Sequence, residues 1–206
     1  MLIRIHAEIT QVALDGIFDP KVLRKIIQAN LKQDSILLQI GHEEIHFDNN
    51  RIEEGLDFIN KQRNLIFTAL DELKLKPAWQ AFGRLLHTVQ DLYAHSNYVD
   101  LWLNQYAELP PPGDIKPLDL ESDFSKKLQS GKLYYPLELL SFVPPLSEFA
   151  LKRLPHDSHA WMNLDSPASG SKFIYAKTAA VKHTKSEYDR IRKYLKEDIL
   201  FRFING

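Results

Sequence analysis

Three side chains that can bind a metal ion, His87, Asp91 and His95, recur at every fourth residue of one apolar stretch. An α-helix turns about 100° and rises about 1.5 Å per residue, so residues four apart share one face. His87 and His95 are then about 12 Å apart along the axis, too far for one ion, while Asp91 lies about 6 Å from each. This spacing predicts a carboxylate between two metal ions. Zinc binds imidazole nitrogen and carboxylate oxygen, and two ions can hold the attacking and leaving oxygens of a phosphodiester.

The other face of the same stretch, residues 81–102, already supplies what a helix needs for packing. It carries apolar side chains at helical spacing, namely Phe82, Leu85, Leu86, Val89 and Leu92. A single histidine at this spacing is usually a structural residue. Three acid and imidazole groups on one face would be costly to bury without partners, and together they favour a metal site.

The composition limits the class of protein. The chain has 206 residues, of which 44% are hydrophobic and 11% aromatic, enough for one domain with a sizeable core. Its 26 basic and 27 acidic residues give a net charge of −1, which argues against long nucleic acid as a partner. Because there is no cysteine, His, Asp and Glu must hold any zinc. No apolar run approaches the length of a membrane span, and the N-terminus lacks a signal-peptide core. We expect a cytoplasmic protein, or a secreted domain whose signal was removed.

The apolar periodicity predicts an all-α fold with a single metal-binding domain over residues 1–206. Helices are expected over residues 7–14, from 20, and over 30–41, 51–73, 77–106 and 171–199. A proline-rich insertion at about 108–155 interrupts this pattern, with short helices around 137–142 and 146–151. Its apolar residues lead us to expect that residues 110–155 govern substrate choice and contact a membrane surface.

Four motifs carry a resemblance to a known family: IHAEITQVAL, HFDN, LHTVQDLYAHSNYVDLW and SHAWMNLDSP, in this order. They resemble the fungal heterokaryon-incompatibility protein C family and, more distantly, the zinc-dependent phospholipase C enzymes and the zinc nucleases for single strands. The resemblance covers nearly the whole chain apart from roughly residues 108–155. It implies an all-α fold of that type, with a three-zinc site that hydrolyses phosphodiester or phosphomonoester bonds.

Carried over by position, the resemblance implies a set of metal ligands distributed along the chain: His6, Asp34, His46, His87, Asp91, His95 and His159. Asp91 would bridge two zinc ions. Asp34 would also be catalytic, because it would orient or deprotonate the attacking water while it binds metal.

Three positions have alternatives. Asn97 stands where the phospholipase pattern places the ligand that follows the aspartate, so it is the alternative to His95. His183 with Glu187, spaced by four, is the alternative to His159, although the order of the motifs favours His159. The Met1 amino group, five residues before the early histidine, is a further candidate ligand, or the end of a frayed terminus.

The sequence therefore predicts a zinc-dependent, phospholipase C-like hydrolase that uses two or three zinc ions and a metal-activated water. Its substrate would be a phospholipid or another phosphodiester. One alternative is a nuclease or nucleotidase with the same metals. The other is a non-catalytic, metal-stabilised interaction protein, as the heterokaryon proteins are known for recognition.

Overall fold

The computed structural model describes residues 1–35, 38, 41–119, 125–141 and 143–206. Within these ranges the protein is all-α, apart from two isolated β-bridges that pair Ser96 with Ser130 and Lys132 with Ser158. The prediction of an all-α fold is confirmed. Part of the predicted helix over 30–41, and Phe142 in the predicted short helix, lie outside the described residues. In the described parts of the chain, no helix is both long and apolar enough to cross a bilayer.

The α-helices differ widely in length, and the longest lie at the centre of the chain and near its end. In chain order they are α1 Ile3–Leu14, α2 Pro20–Leu31, α3 Glu43–His46, α4 Ile52–Asp71, α5 Leu75–His95, α6 Tyr98–Leu103, α7 Leu137–Ser141, α8 Pro144–Leu151, α9 His159–Met162, α10 Phe173–Tyr194 and α11 Glu197–Asn205. Short 3-10 turns lie at Lys32–Asp34, Pro112–Asp114, Ser125–Lys127 and Pro167–Ser169.

Helix α5 is the central helix of the fold. From Ala81 to His95 every residue except Arg84 is buried. Helices α2, α4 and α10 pack around it, and α1 packs against α2 and α10. A helix that is buried on all sides must satisfy its polar groups inside the protein, since no face is left to water. His87, Asp91 and His95 are therefore interior residues.

Gly83 explains how α2 comes so close to α5. A Cβ atom at this position would lie 2.8 Å from the backbone nitrogen of Asn30 and 2.7 Å from the Cβ of Ala29. Only a residue without a side chain allows this approach. The close approach brings Asn30 to the side of α5 that carries His87.

Three predicted helix boundaries are wrong. Helix α1 begins at Ile3, so His6 lies within it and not before it. The helix expected over 77–106 is two helices, because Ser96 has extended backbone (φ −116°, ψ 167°) and pairs with Ser130. The helix expected over 171–199 also breaks, at Leu195 and Lys196, which are both extended.

The proline-rich segment at 108–155 is partly core and partly surface. Ile115, Leu118 and Leu128 are buried in the main hydrophobic core. Tyr135 and Leu139 are exposed instead. The segment therefore contributes apolar side chains to the core and also leaves apolar side chains at the surface.

We expect Gly83→Ala to destabilise the fold. The added methyl group meets backbone atoms that cannot move aside cheaply, and such overpacking costs about 1–3 kcal/mol. We expect the upper part of this range, which exceeds the roughly 1 kcal/mol gained in helix propensity. Urea denaturation measures the free energy of unfolding. Gly113→Ala is the control, since a Cβ there would meet no atom within 4 Å. Equal stability of the two variants would contradict the tight contact between α2 and α5.

Candidate metal centre

The predicted ligands come from separate elements and converge beside α5. All seven belong to three groups whose ligand atoms lie within 4.8 Å of one another: His6, Asp34 and His87; His46, His87 and Asp91; and Asp48, His95 and His159. That these residues bind metal stays a prediction. The structure brings them together from five elements far apart in the sequence.

Local structure explains how each residue reaches the centre. On α5, the spacing of four places His87 Nε2 3.0 Å from Asp91 Oδ2. His46 is the last residue of α3, and the chain then turns sharply because Phe47 adopts a left-handed conformation (φ 57°). Phe47 is fully buried against α4, where a Cβ at Gly55 would lie 2.5 Å from its ring. This anchored turn holds the histidine against the aspartate of α5.

The two carboxylate oxygens of Asp91 face different partners. Oδ1 lies 2.5 Å from the Met1 amino nitrogen and 3.2 Å from His6 Nε2. Oδ2 lies 3.0 Å from His46 Nδ1 and 3.0 Å from His87 Nε2. Each oxygen therefore has its own set of nitrogen atoms. Oδ1 is paired with an ammonium and one imidazole, whereas Oδ2 faces two imidazoles, so the carboxylate lies between two separate groups of nitrogen atoms.

The third group lies at the end of α5. His159 Nδ1 is 2.7 Å from Asp48 Oδ1, and His95 Nδ1 is 3.7 Å from the same oxygen. His95 also presents Nε2 to Asp165 Oδ1 at 2.9 Å. Asp165 in turn lies 3.2 Å from the Met1 amino nitrogen. Asp165 thus connects the third group to the surroundings of Asp91.

Several buried ligand atoms lack a hydrogen bond. His6 Nε2, His46 Nε2 and Asp34 Oδ2 have no hydrogen-bond partner within the described part of the chain. A buried polar atom without a partner costs about 1–3 kcal/mol. A cation in the first group would satisfy His6 Nε2 and Asp34 Oδ2, because imidazole nitrogen and carboxylate oxygen both donate electron pairs to zinc. The residues present therefore fit a metal ion.

The pKa values of Asp91 and of the histidines beside it indicate which of these buried groups are charged. Burial would raise the pKa of Asp91, but the Met1 ammonium and His87 hold it well below its usual range. Burial lowers the pKa of His87 to about 4 despite Asp91, so this imidazole is neutral at pH 7. Burial likewise lowers the pKa of His6, with Asp91 opposing. Neutral imidazoles are the form that binds a metal.

The pKa of His159, in the third group, and the pKa of Asp34 are also shifted by burial and by neighbouring groups. Burial opposes protonation of His159, but Asp48 raises its pKa to about 9. Binding of a cation there would release a proton at neutral pH. Burial raises the pKa of Asp34, and His87 opposes the rise. Asp34 is therefore a stronger base than an exposed aspartate.

Residues 129–133, a short segment of the proline-rich region, form backbone hydrogen bonds with three regions that carry ligands. We call this segment the strap. The N–H of Gly131 donates to His95 O at 3.0 Å, and the N–H of Asn49 donates to Gly131 O at 2.9 Å. The N–H of His159 donates to Lys132 O at 2.9 Å. The strap therefore supports the third group, although none of the three groups takes a ligand from it.

The alternative ligands have other partners. His183 Nδ1 lies 2.7 Å from the Tyr93 hydroxyl, and Glu187 accepts from Arg63 Nε and Nη2 at 3.1 and 2.8 Å. This pair forms a separate buried ion-pair network. Asn97 Oδ1 accepts from the N–H of Gln129 at 2.9 Å, so it holds the strap. None of these side chains belongs to the three groups.

Sequence reasoning missed Asp48 and Asp165. Both lie in motifs that were noticed for their histidines: Asp48 is two residues after His46, and Asp165 is six residues after His159. The available signal was the presence of a carboxylate in a polar motif that already contained a histidine.

The fold and the centre together define an all-α protein with a buried cluster of histidine and aspartate. A family model described as the VWA7 N-terminal domain matches residues 10–118, more than half of the chain. The chain belongs to this family. The matched range contains Asp34, His46, Asp48 and the three centre residues of α5, whereas His6 and His159 lie outside it.

Curated relatives match over a shorter range. The von Willebrand factor A domain-containing protein 7 of Rattus norvegicus, Mus musculus and Homo sapiens is in each case 32% identical over 79 residues, which is 38% of this chain. The match covers 9% of each relative, so the chain spans a small part of their length. No solved structure matches the chain.

The resemblance to the heterokaryon-incompatibility protein C family and the zinc phospholipases is wrong. The family that matches is the VWA7 N-terminal domain, and the curated relatives carry the same name. Short motifs of histidine and aspartate at helical spacing suit any metal centre built on helices, so they do not identify a family. The expectation of that particular fold loses its basis with the resemblance.

We expect Gly131→Ala to damage the third group selectively. A Cβ at this position would lie 2.5 Å from His159 Cα and 2.9 Å from His159 N, so α9 must move. If the groups bind zinc, the variant should lose about one equivalent and keep the zinc held around Asp91. Elemental analysis of the purified protein measures this loss, with Gly113→Ala as the control. Unchanged zinc content in Gly131→Ala would show that the strap does not position His159.

Proposed function

We propose that this chain is a zinc-dependent hydrolase of phosphoric esters, with phosphodiesters as its substrates. The observation that carries the proposal is the buried Asp91 carboxylate, whose two oxygens face separate sets of ligand atoms. Pairs of metal ions that share ligands in this way serve phosphatases, nucleases and aminopeptidases. The centre would hold two zinc ions at Asp91, or three if the third group also binds one.

The donor atoms favour zinc over harder metals. Each group combines imidazole nitrogen with carboxylate oxygen. Magnesium and calcium prefer sites made of oxygen atoms, whereas imidazole suits zinc and other transition metals. When bound, the zinc ions would polarise a phosphoryl oxygen and lower the pKa of water toward neutrality.

Asp34 is the candidate catalytic base. Its Oδ1 lies 3.9 Å from His87 Nε2, and its Oδ2 is buried without a hydrogen bond. Burial raises its pKa, with His87 opposing, so it accepts a proton more readily than an exposed aspartate does. The role we assign to Asp34 is to orient the attacking water and to take its proton.

The carboxylates at the centre are more exposed to solvent than the innermost imidazoles. The side chains of Asp34, Asp48 and Asp165 are 10%, 13% and 22% exposed. The imidazoles of His6 and His87 have no exposed surface. In the proposal, a substrate reaches the centre through these partly exposed aspartates.

The surface near the third group supports a lipid substrate. Tyr135, Leu139 and Phe149 are exposed, whereas Glu138 is fully buried and accepts the N–H of Ala160 at 2.6 Å. Helix α7 thus turns an acid inward and an apolar side chain outward. As part of the proposal, this surface within residues 110–155 contacts a membrane, and a phospholipid is favoured over long nucleic acid. A cytoplasmic location belongs to the same proposal.

A second candidate function is a purely structural metal centre. The deep burial of His6, His87 and Asp91 favours it, because structural sites are closed by protein ligands while catalytic sites keep an open position. Such a protein would depend on metal for stability and would act through interactions. Catalysis and stability therefore have to be measured on the same preparation.

The bridging role of Asp91 predicts an unequal loss of metal. Because one carboxylate serves two cations, we expect Asp91→Ala to lose more than one equivalent of zinc. His159→Ala should lose at most one, since it touches only the third group. Elemental analysis of each folded variant measures this, with circular dichroism as the check on folding. A loss of one equivalent or less in Asp91→Ala would refute the bridge.

The hydrolase proposal predicts chelator-sensitive cleavage of bis(p-nitrophenyl) phosphate that zinc restores. Asp34→Asn should lower the rate at least about 100-fold, the usual size of a general-base contribution. Asp57→Asn, at an exposed position of α4, is the matched control. Phosphatidylcholine vesicles, a dinucleotide and an aminoacyl p-nitroanilide then distinguish the lipid, nucleotide and peptide substrates. A zinc-loaded protein that is stabilised by its metal but cleaves none of these would favour the structural centre.

A further inference from the structure

Two buried amides lie behind the histidines of the centre, and no function is yet assigned to them. Gln90 on α5 and Asn30 on α2 have no exposed surface. His6 Nδ1 lies 2.7 Å from Gln90 Oε1, and His87 Nδ1 lies 3.3 Å from Asn30 Oδ1. Each imidazole therefore contacts an amide through Nδ1, on the side away from Asp91.

The two amides also contact each other. Asn30 Nδ2 donates to Gln90 Oε1 at 3.2 Å. Gln90 Nε2 donates to Thr10 Oγ1 at 3.0 Å and to Thr184 Oγ1 at 3.2 Å. This cluster joins α1, α2, α5 and α10 around one buried amide pair.

The orientation of each amide fixes where the neighbouring imidazole carries its proton. A carbonyl oxygen only accepts, so His6 and His87 must donate from Nδ1. A neutral imidazole has one proton, which leaves the lone pair of Nε2 free. His6 Nε2 faces Asp91 Oδ1 and His87 Nε2 faces Asp91 Oδ2, at 3.2 and 3.0 Å. The free lone pairs therefore point toward the two proposed cation positions.

Neither amide can reverse alone. Reversal of Gln90 would set its N–H groups against those of Asn30, and reversal of Asn30 would set two carbonyl oxygens together. Only a joint reversal keeps the hydrogen bond between the amides. Both imidazoles would then have to accept at Nδ1 and carry their protons on Nε2.

We infer that Gln90 and Asn30 are positioning residues that make His6 and His87 adopt the same tautomer. The Nε2 atoms of both rings are then ready, or not ready, to bind the two cations at Asp91 together. The inference rests on the proposed metal centre and deepens it. Hydrogen-bond partners of ligand histidines typically change metal affinity about 10- to 100-fold when they are removed. Here one amide pair would act on both positions, because its two histidines serve opposite oxygens of Asp91.

The test uses the full chain and compares three variants with the wild type. Gln90→Leu removes the acceptor of His6 and the partner of Asn30. Gln90→Glu keeps an acceptor for both and should retain donation from Nδ1. Gln62→Leu is the matched control, since Gln62 is a buried glutamine whose Oε1 accepts from Arg84 Nε at 2.8 Å. Circular dichroism and urea denaturation report folding.

Two readouts decide the outcome. Two-dimensional ¹H–¹⁵N spectra of the metal-free protein report which nitrogen of each histidine is protonated, and competition with a chromophoric chelator reports zinc affinity. In the wild type, we expect His6 and His87 to carry their protons on the corresponding nitrogen, either both on Nδ1 or both on Nε2. In Gln90→Glu we expect both protons on Nδ1. We expect Gln90→Leu to weaken zinc binding at both Asp91 positions about 10- to 100-fold, while Gln62→Leu does not.

Different tautomers of His6 and His87 in the wild type would overturn the coupling. Unchanged zinc affinity in folded Gln90→Leu would also overturn it. If Gln90→Leu does not fold, the spectra of Gln90→Glu decide, and protons on different nitrogens of the two rings would overturn it. A wild type that binds no zinc would refute the proposed function. In that case the histidine spectra still test the coupling, because they need no metal.

Discussion

The burial of the Asp91 carboxylate is the constraint on which the rest of the centre depends. Asp91 has no exposed surface and lies on a helix that is buried on all sides. A buried charge is very costly unless it is paired, so both of its oxygens need partners. The histidines that surround it are neutral or compete for protons, and His87 has a pKa of about 4. The Met1 ammonium supplies positive charge at Oδ1, 2.5 Å away, whereas Oδ2 faces only imidazoles, so the proposed cations would add to a charge that the ammonium balances in part.

The fold meets this constraint through close approaches between backbones. Gly83 allows α2 to reach α5, which brings Asn30 to His87, and Gly131 allows the strap to reach His159. The proline-rich segment therefore supports the centre through the strap, although it supplies no ligand to it. These contacts show how the ligands on the short helices α3 and α9 are held beside the long helix α5.

The sequence predicts part of this arrangement. The spacing of His87 and Asp91 on one helix depends only on helical geometry, and the structure shows the expected contact. Asp48 and Asp165 were missed because they lie in loops, where the spacing of residues does not determine the direction of their side chains. The single helix over 77–106 was wrong because a long-range pairing of Ser96 with Ser130 ends it, and no local signal reports such a pairing. The predicted family was wrong because the motifs reflect the chemistry of metal ligands, which does not identify a common ancestor.

The most direct test of the account is anomalous diffraction at the zinc absorption edge, from crystals of the full chain grown with zinc. We predict two anomalous peaks at Asp91, one on the side of Oδ1 with His6 and one on the side of Oδ2 with His46 and His87. The third group is separate from the bridge, so this claim does not depend on a further peak there. Zinc bound elsewhere with no peak at Asp91, or one peak shared by both oxygens, would contradict the account.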